Sequence, residues 1–437
     1  MSQRLTGWVC FWGLVIWTTG LIAEDWPQWR GERRDGVWRE TGLIERFAGP
    51  QVPIRWRQPV GSGYSGPTVA AGRVFVTDRV VEPEQIERVL CFDERTGEPL
   101  WTYRYPCVYT ISYDAGPRAT VTVDGDRAYA LGAMGHLHCL EAATGKVLWA
   151  HDLDREYKIT ADRRMPIWGI ASAPIVFQDL LIVPIGAANG ASILAFDKQD
   201  GRERWRALDD RGQYSAPILL TQAGQTVVVC WTGDAVVGLD PATGKLHWRV
   251  PLQPTRMPIG VATPVVQGDR LFVTSFYDGS LMLRLLPDQL AVETIWRRLG
   301  ESETQTDALH SIISTPVLRG DFVYGVDSYG ELRCLNALNG DRLWENLTAT
   351  PKARWSTIHF VENGDRMWMF NERGELLIGK LTPTGFEELS RAALIAPTLA
   401  QLRQRNGVCW AHPAFANKAV FARNDRELVC ASLAAEP

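Results

Sequence analysis

The chain has no two adjacent cysteines, no C-x-x-C and no C-x-x-C-H. Zinc ribbons, thioredoxin-type redox pairs and covalently attached haem all depend on such spacings, so none of them has support. Positive charge is not in excess: 46 Lys and Arg stand against 50 Asp and Glu, a net charge of −4. A nucleic-acid partner would want a basic face, and none is implied. Beyond residue 23 no stretch is long and apolar enough to span a bilayer. No nucleophile–base pairing and no phosphate-binding loop stands out.

The first 23 residues read as an export signal, with Arg4, an apolar run from Trp8 to Trp17, and Leu21-Ile22-Ala23 before the acidic Glu24-Asp25. An uncleaved anchor is the alternative, since Gly7 to Ala23 is nearly long enough to cross a membrane. Cys10 lies inside the apolar run, too early for a lipid-bearing cysteine. Removing the signal takes away Arg4 and no acid, and brings the net charge to −5. The mature chain is thus expected in the periplasm or at the cell surface, as a monomer in oxidising surroundings.

What the sequence has in abundance is tryptophan, 18 copies, and seven of them recur. Trp56, Trp101, Trp149, Trp205, Trp248, Trp296 and Trp344 are separated by 45, 48, 56, 43, 48 and 48 residues. Most close one phrase: CFDERTGEPLW, CLEAATGKVLW, AFDKQDGRERW, GLDPATGKLHW, CLNALNGDRLW. A period in the forties with a turn and a tryptophan per unit predicts a β-propeller. Each unit reads as four strands: Ala119 to Val123, then RAYALG, HLHCLE and KVLWAHDL in the second. Asp93, Asp197 and Asp240 can accept turn N–H groups, and the following glycine supplies the positive φ of the corner. The tryptophan falls on the outermost strand, where packing on the next blade buries on the order of 150–250 Å², worth at most about 4–6 kcal/mol. Cys91, Cys139, Cys334 and Cys430 share a slot that other units fill with Ala195, Gly238 and Gly379. That slot asks for a small buried side chain, which free cysteine provides, so no disulfide framework is expected.

A second phrase opens the first strands: Ser65-Gly66-Pro67, Ser172-Ala173-Pro174, Ser215-Ala216-Pro217, Thr263-Pro264 and Thr315-Pro316. Proline at a strand's first residue loses no ladder bond. Units therefore start near residues 65, 116, 172, 215, 263, 315, 356 and 411, which makes eight. Unit five is degenerate at its third turn (LRLLPDQLAVETIW), and unit seven sets Leu389 where the tryptophan belongs. The last unit stops after a third strand, Glu427 to Ser432, whereas IRWRQPV (Ile54 to Val60) is a fourth strand without a unit. The segment around Trp56 should pair beside Cys430 and close the ring. A seven-bladed ring with residues 50–60 packed elsewhere is the alternative. The expected organisation is a signal at 1–23, an arm at 24–53 lying over the propeller with Trp26, Trp29 and Trp38 in a surface groove, and an all-β, eight-bladed propeller at 54–437.

The D-x-x-T-G-x-x-x-W phrase resembles the pyrroloquinoline-quinone (PQQ) repeat. That repeat is shared by quinoprotein alcohol dehydrogenases and by the propeller lipoprotein of the outer-membrane β-barrel assembly machine. DWPQWRGERRDGV (Asp25 to Val37), GYSGP (Gly63 to Pro67), AGPRATVTVDGDR (Ala115 to Arg127) and GAMGHLHCLEAATGKVLW (Gly132 to Trp149) are similar to an exported PQQ-binding-like β-propeller family of bacteria. The resemblance covers nearly all of the mature chain and implies the propeller; the repeat serves enzymes and non-enzymes alike. Quinoprotein dehydrogenases hold PQQ between a tryptophan and a vicinal disulfide, with calcium ligands and an aspartate base on insertions. Here no cysteines are adjacent, no residues match those ligands, and no haem domain follows.

In such rings the loops leading into the innermost strands surround one channel mouth. They carry Tyr64, then Tyr113, Asp114 and Arg118, then Trp168 and Tyr214, and further on Arg256 and His310. Arg354 and Trp355, and finally Trp410 and His412, complete the set. Aromatic walls with a few charges suit a flat or anionic ligand, with Arg118 and Arg354 the carboxylate readers; the alternative is that these groups plug the channel. His136 and His138 share a strand face, for metal binding or for inter-blade packing, and Asp114 is a base or a turn residue. The leading expectation is a non-catalytic scaffold binding a protein or small ligand in the envelope. The alternative is a PQQ- and calcium-dependent oxidoreductase using the channel mouth.

Overall fold

The computed structural model describes residues 24–435, so the expected export signal and Cys10 lie outside the described residues. The chain forms eight four-stranded sheets, each antiparallel throughout. Seven sheets use consecutive strands, from Thr68–Ala70 through Pro99–Pro106 in blade 1 to Ile358–Asn363 through Gly385–Ala393 in blade 7. Blade 8 takes Ala414–Ala416, Ala419–Arg423 and Glu427–Ser432 from the end of the chain and Ile54–Pro59 from its beginning. In that pairing Trp56 stands opposite Cys430. The ring is eight-bladed and closed by its first strand. The prolines of the second phrase sit one residue before the innermost strands rather than inside them, as at Pro67 before Thr68 and Pro174 before Ile175.

The tryptophan slot explains the repeat. In six blades the indole N–H donates to a carbonyl in the turn of the next blade: Trp56 to Glu94 at 2.9 Å, Trp101 to Ala142 at 3.1 Å, Trp149 to Lys198 at 3.2 Å. Trp205, Trp296 and Trp344 do the same to Pro241, Ala337 and Thr382. Each of the turns reached by Trp56, Trp101, Trp149, Trp205 and Trp296 presents its glycine to the ring. A Cβ on Gly145 would lie 2.5 Å from Trp101. Asp93 and Asp197 accept the turn N–H groups as expected, and those bonds, at Thr96 and Gln199 foremost, hold both carboxyls below the usual range. Within its own sheet each tryptophan faces the small-residue slot, as in Cys91 with Trp101 and Ala195 with Trp205. All seven described cysteines are buried and free, and burial pushes the thiols of Cys91, Cys334 and Cys430 up to about 12.

Two joints depart from the rule. The degenerate turn of blade 5 offers Trp248 no carbonyl, and Gln222 of blade 4 fills the gap. Its amide oxygen accepts the indole N–H at 3.0 Å, while its amide nitrogen donates to Gln289 and Ala291 of that turn at 3.1 and 2.6 Å. In blade 7 the register places Ser390 opposite Ile378, so Ser390, not Leu389, occupies the tryptophan position, and Ile378, not Gly379, the small-residue slot. A two-residue turn between Thr382 and Gly385 replaces the longer D-x-x-T-G corner, so residues counted from the turn fall one place out. The missing indole is made good by the N-terminal segment. Phe47 packs edge-on against Trp368 of blade 7, its N–H donates to the Ser390 hydroxyl, and Val52 N–H donates to Ala393.

The rest of that segment runs over the ends of the innermost strands, opposite the mouth loops. Trp26 pairs with Val69 of blade 1, Pro27 accepts from Val123 of blade 2, and Val37 bridges to Glu362 of blade 7. Arg34, 3% exposed, reaches into the axis and donates to the carbonyls of Ala173, Pro174 and Pro217 in blades 3 and 4. Burial, with no carboxylate partner among the described residues, lowers its pKa to about 9. Trp26 and Trp38 are buried against Phe415, not resting in an open groove. This end of the channel is stoppered.

Candidate functional site

The stopper turns the channel into a well with one mouth. Its floor is Trp29, whose Nε1 donates to Thr263 Oγ1 at 2.7 Å and whose ring meets His412 edge-on at 4.2 Å. Above it the innermost strands and their preceding residues give a cavity of about 140 Å³. Trp168 and Tyr214 lie 4.9 Å apart on one side, and Tyr64 stacks with Trp410 at 6.4 Å on another. Tyr113 reaches across the mouth to Trp168, Trp355 and Trp410, with centroids at 5.9, 5.5 and 6.0 Å.

Tyr113 and Trp355 have φ of 56° and 68°, in the left-handed region that bulky side chains rarely enter. Such conformers cost on the order of 1–3 kcal/mol and persist where surroundings dictate them. Here the surroundings are loops that bring two aromatic rings together over the mouth.

The polar groups of the well are few. Arg118 lies over the Tyr64 ring at 4.6 Å and donates to the carbonyls of Gly116, Ser112 and Tyr113. Burial lowers its pKa, and among the described residues no carboxylate pairs with it or lines the well. His412 bonds Thr120 Oγ1 at 2.7 Å, and His359 Nε2 donates to the Trp410 carbonyl at 2.9 Å. Burial lowers their pKa values to about 3 and about 4, so both are neutral near pH 7. The Nε1 of Trp410 is buried without an acceptor among the described residues.

Eight of the twelve mouth residues expected from sequence meet around this cavity: Tyr64, Tyr113, Arg118, Trp168, Tyr214, Trp355, Trp410 and His412. Asp114 and Arg354 do not. The Asp114 side chain is 65% exposed on the rim, and Arg354 lies outside, over the rings of Trp355 and Phe276. Both follow or precede an aromatic residue in left-handed conformation, which turns the neighbouring side chain away from the axis. Arg256 and His310 also lie off the well, over Tyr277 and against the Phe276 carbonyl. Trp29, Thr120 and His359 line it without having been singled out as mouth residues. Thr120 and His359 were legible from strand alternation into the channel; Trp29 was not, because its position depends on the fold of the arm. His136 and His138 pack in the joint between blades 1 and 2, with Tyr105 4.4 Å from His138. Among the described residues no group of three or more His, Cys, Asp or Glu is placed to hold a metal ion.

The family model described as "Outer membrane protein assembly factor BamB" matches residues 85–346, more than half of the chain. The chain belongs to this family. It is 24% identical over 245 residues to the protein of that name from Burkholderia pseudomallei, covering 54% of this chain and 58% of that one, so the match spans under two thirds of the relative's length. The crystal structure of BamB from Moraxella catarrhalis superposes with a TM-score of 0.59 at 19% identity, covering 87% of this chain and 99% of that one. Quinohemoprotein alcohol dehydrogenase from Comamonas testosteroni gives 0.62 at 13% identity, covering 94% and 81%. These likenesses establish the fold.

Proposed function

We propose that this chain is an exported, non-catalytic propeller that binds a protein partner in the cell envelope through the face that carries the well. The observation that carries this reading is the make-up of that face. Val108, Ile167, Met257, Leu299, Leu347 and Leu399 are exposed large apolar side chains, and each lies in a different loop leading into an innermost strand. Exposed apolar side chains in six of the eight loops that ring the mouth give a partner apolar anchor points on this face. The family's description as an assembly factor agrees with a binding role, and export rests on the N-terminal signal pattern.

The oxidoreductase reading fits the residues less well. PQQ is a fused tricyclic quinone with several carboxylates, and the well offers one arginine and a cavity of about 140 Å³. Calcium takes six to eight oxygen ligands, carboxylates foremost, and none lines the cavity among the described residues.

Photo-crosslinking tests the proposal. A crosslinker at Val108 or Leu347, on the mouth face, should capture one discrete protein in the host's envelope fraction; one at Leu338, in a turn on the opposite face, should not. Capture only from Leu338 would reject this face. Dye reduction that depends on added PQQ and calcium would overturn the non-catalytic reading.

A further inference from the structure

The size and charge of the well narrow what enters it. A cavity of about 140 Å³ is close to the ~150 Å³ engineered cavity that takes up benzene, so it has room for one ring rather than three fused ones. Its walls are aromatic on several sides, and the T-shaped contacts already present among Tyr113, Trp168 and Trp355 are those a further ring would join. One full positive charge, Arg118, faces this space without a carboxylate partner. Its Nε has no acceptor among the described residues. A donor left unmade is costly, and a carboxylate is the group that pairs most strongly with a guanidinium.

We infer that the well holds a single aromatic ring bearing one carboxylate, supplied by a free aromatic acid or by the aromatic C-terminal residue of a polypeptide. This rests on the reading of the mouth as the binding face and names what that face admits. The ring would sit between Trp29 below and Tyr113 above. The carboxylate would take Arg118 Nε, and the neutral His359 and His412 would add no competing charge.

Calorimetric titration of the mature protein with 3-phenylpropionate, 3-phenylpropan-1-ol and propionate tests it. The ring acid should bind at least tenfold tighter than the alcohol, which lacks the charge, and than propionate, which lacks the ring. Arg118→Gln should erase the preference for acid over alcohol while leaving the alcohol's own affinity unchanged. If Arg118→Gln does not fold, Arg118→Lys, which keeps the charge and loses the planar fork, should weaken the acid severalfold and not the alcohol. A peptide ending in phenylalanine with a free carboxylate that binds tighter than 3-phenylpropionate, and loses this on amidation, identifies a polypeptide end; the reverse order identifies a small acid. Equal binding of acid and alcohol, binding of PQQ but of no single-ring acid, or no binding of the ring acid at millimolar concentration would overturn the inference. If crosslinks from the mouth face survive that failure, the ligand class alone is rejected; if they fail too, the binding face is rejected with it.

Discussion

At Gly145 and Gly244 two demands fall on one residue. Each has φ near +70°, which closes the turn, and each lies flat under the tryptophan of the preceding blade, Trp101 or Trp205. The tryptophan and the turn glycine are therefore one device seen from two blades. Trp149 shows its worth: it is 9% exposed, packs on Gly201 and donates to Lys198. Trp149→Ala should cost about 3–5 kcal/mol in denaturant melts, and a loss under 1 kcal/mol would place the indole outside the joint. The histidines set a pH dependence. His138, His359 and His412 are held by burial at about 3, 4 and 3, whereas in the unfolded chain each titrates near 6.5. Between those values the unfolded chain binds protons that the native protein does not. Their contribution is therefore complete above pH 6.5 and falls as pH drops, by about 1.4 kcal/mol per unit for each. Asp327, raised by burial, acts in the opposite direction over part of the same range. Urea midpoints for His412→Gln against the unaltered protein isolate one step, and the variant should lose stability less steeply between pH 6.5 and 4.

The blades were legible in the sequence wherever the turn phrase was intact, because one turn geometry fixes the corner, the glycine and the tryptophan together. The eighth blade could be read from its missing strand. Legibility stopped where a different element does the same job. Nothing in LRLLPDQLAVETIW announces that Gln222, from the previous blade, bridges Trp248 to that turn. Gln222→Leu keeps the volume and removes those bonds, and should cost about 2–3 kcal/mol with the fold retained. A midpoint unchanged within error would mean that water serves equally well there. Leu389 was misplaced for a related reason: a shortened turn shifted the outer strand of blade 7, and the packing lost there is recovered by Phe47 and Val52, more than 300 residues away. The site divides the same way. Side chains from the mouth loops were found by position, while Trp29 and the outward turn of Asp114 and Arg354 depend on tertiary placement that no local pattern carries.

For the whole molecule, residues 24–59 do three things at once. Ile54–Pro59 completes the last blade, Phe47 and Val52 replace a lost tryptophan, and Trp26 to Val37 seals one end of the channel. A closed floor makes the channel a well, and the proposed partner-binding face is the one that holds its mouth. All of this presupposes that the first strand lies beside the last. Antiparallel neighbours sit within disulfide reach, and the partner thiol is already present at Cys430. The direct measurement is peptide mapping of Trp56→Cys after mild oxidation. A disulfide linking position 56 to Cys430 in the folded protein is the expected result. A folded protein in which position 56 stays reduced, or bonds to any other cysteine, would contradict the closure and with it the well.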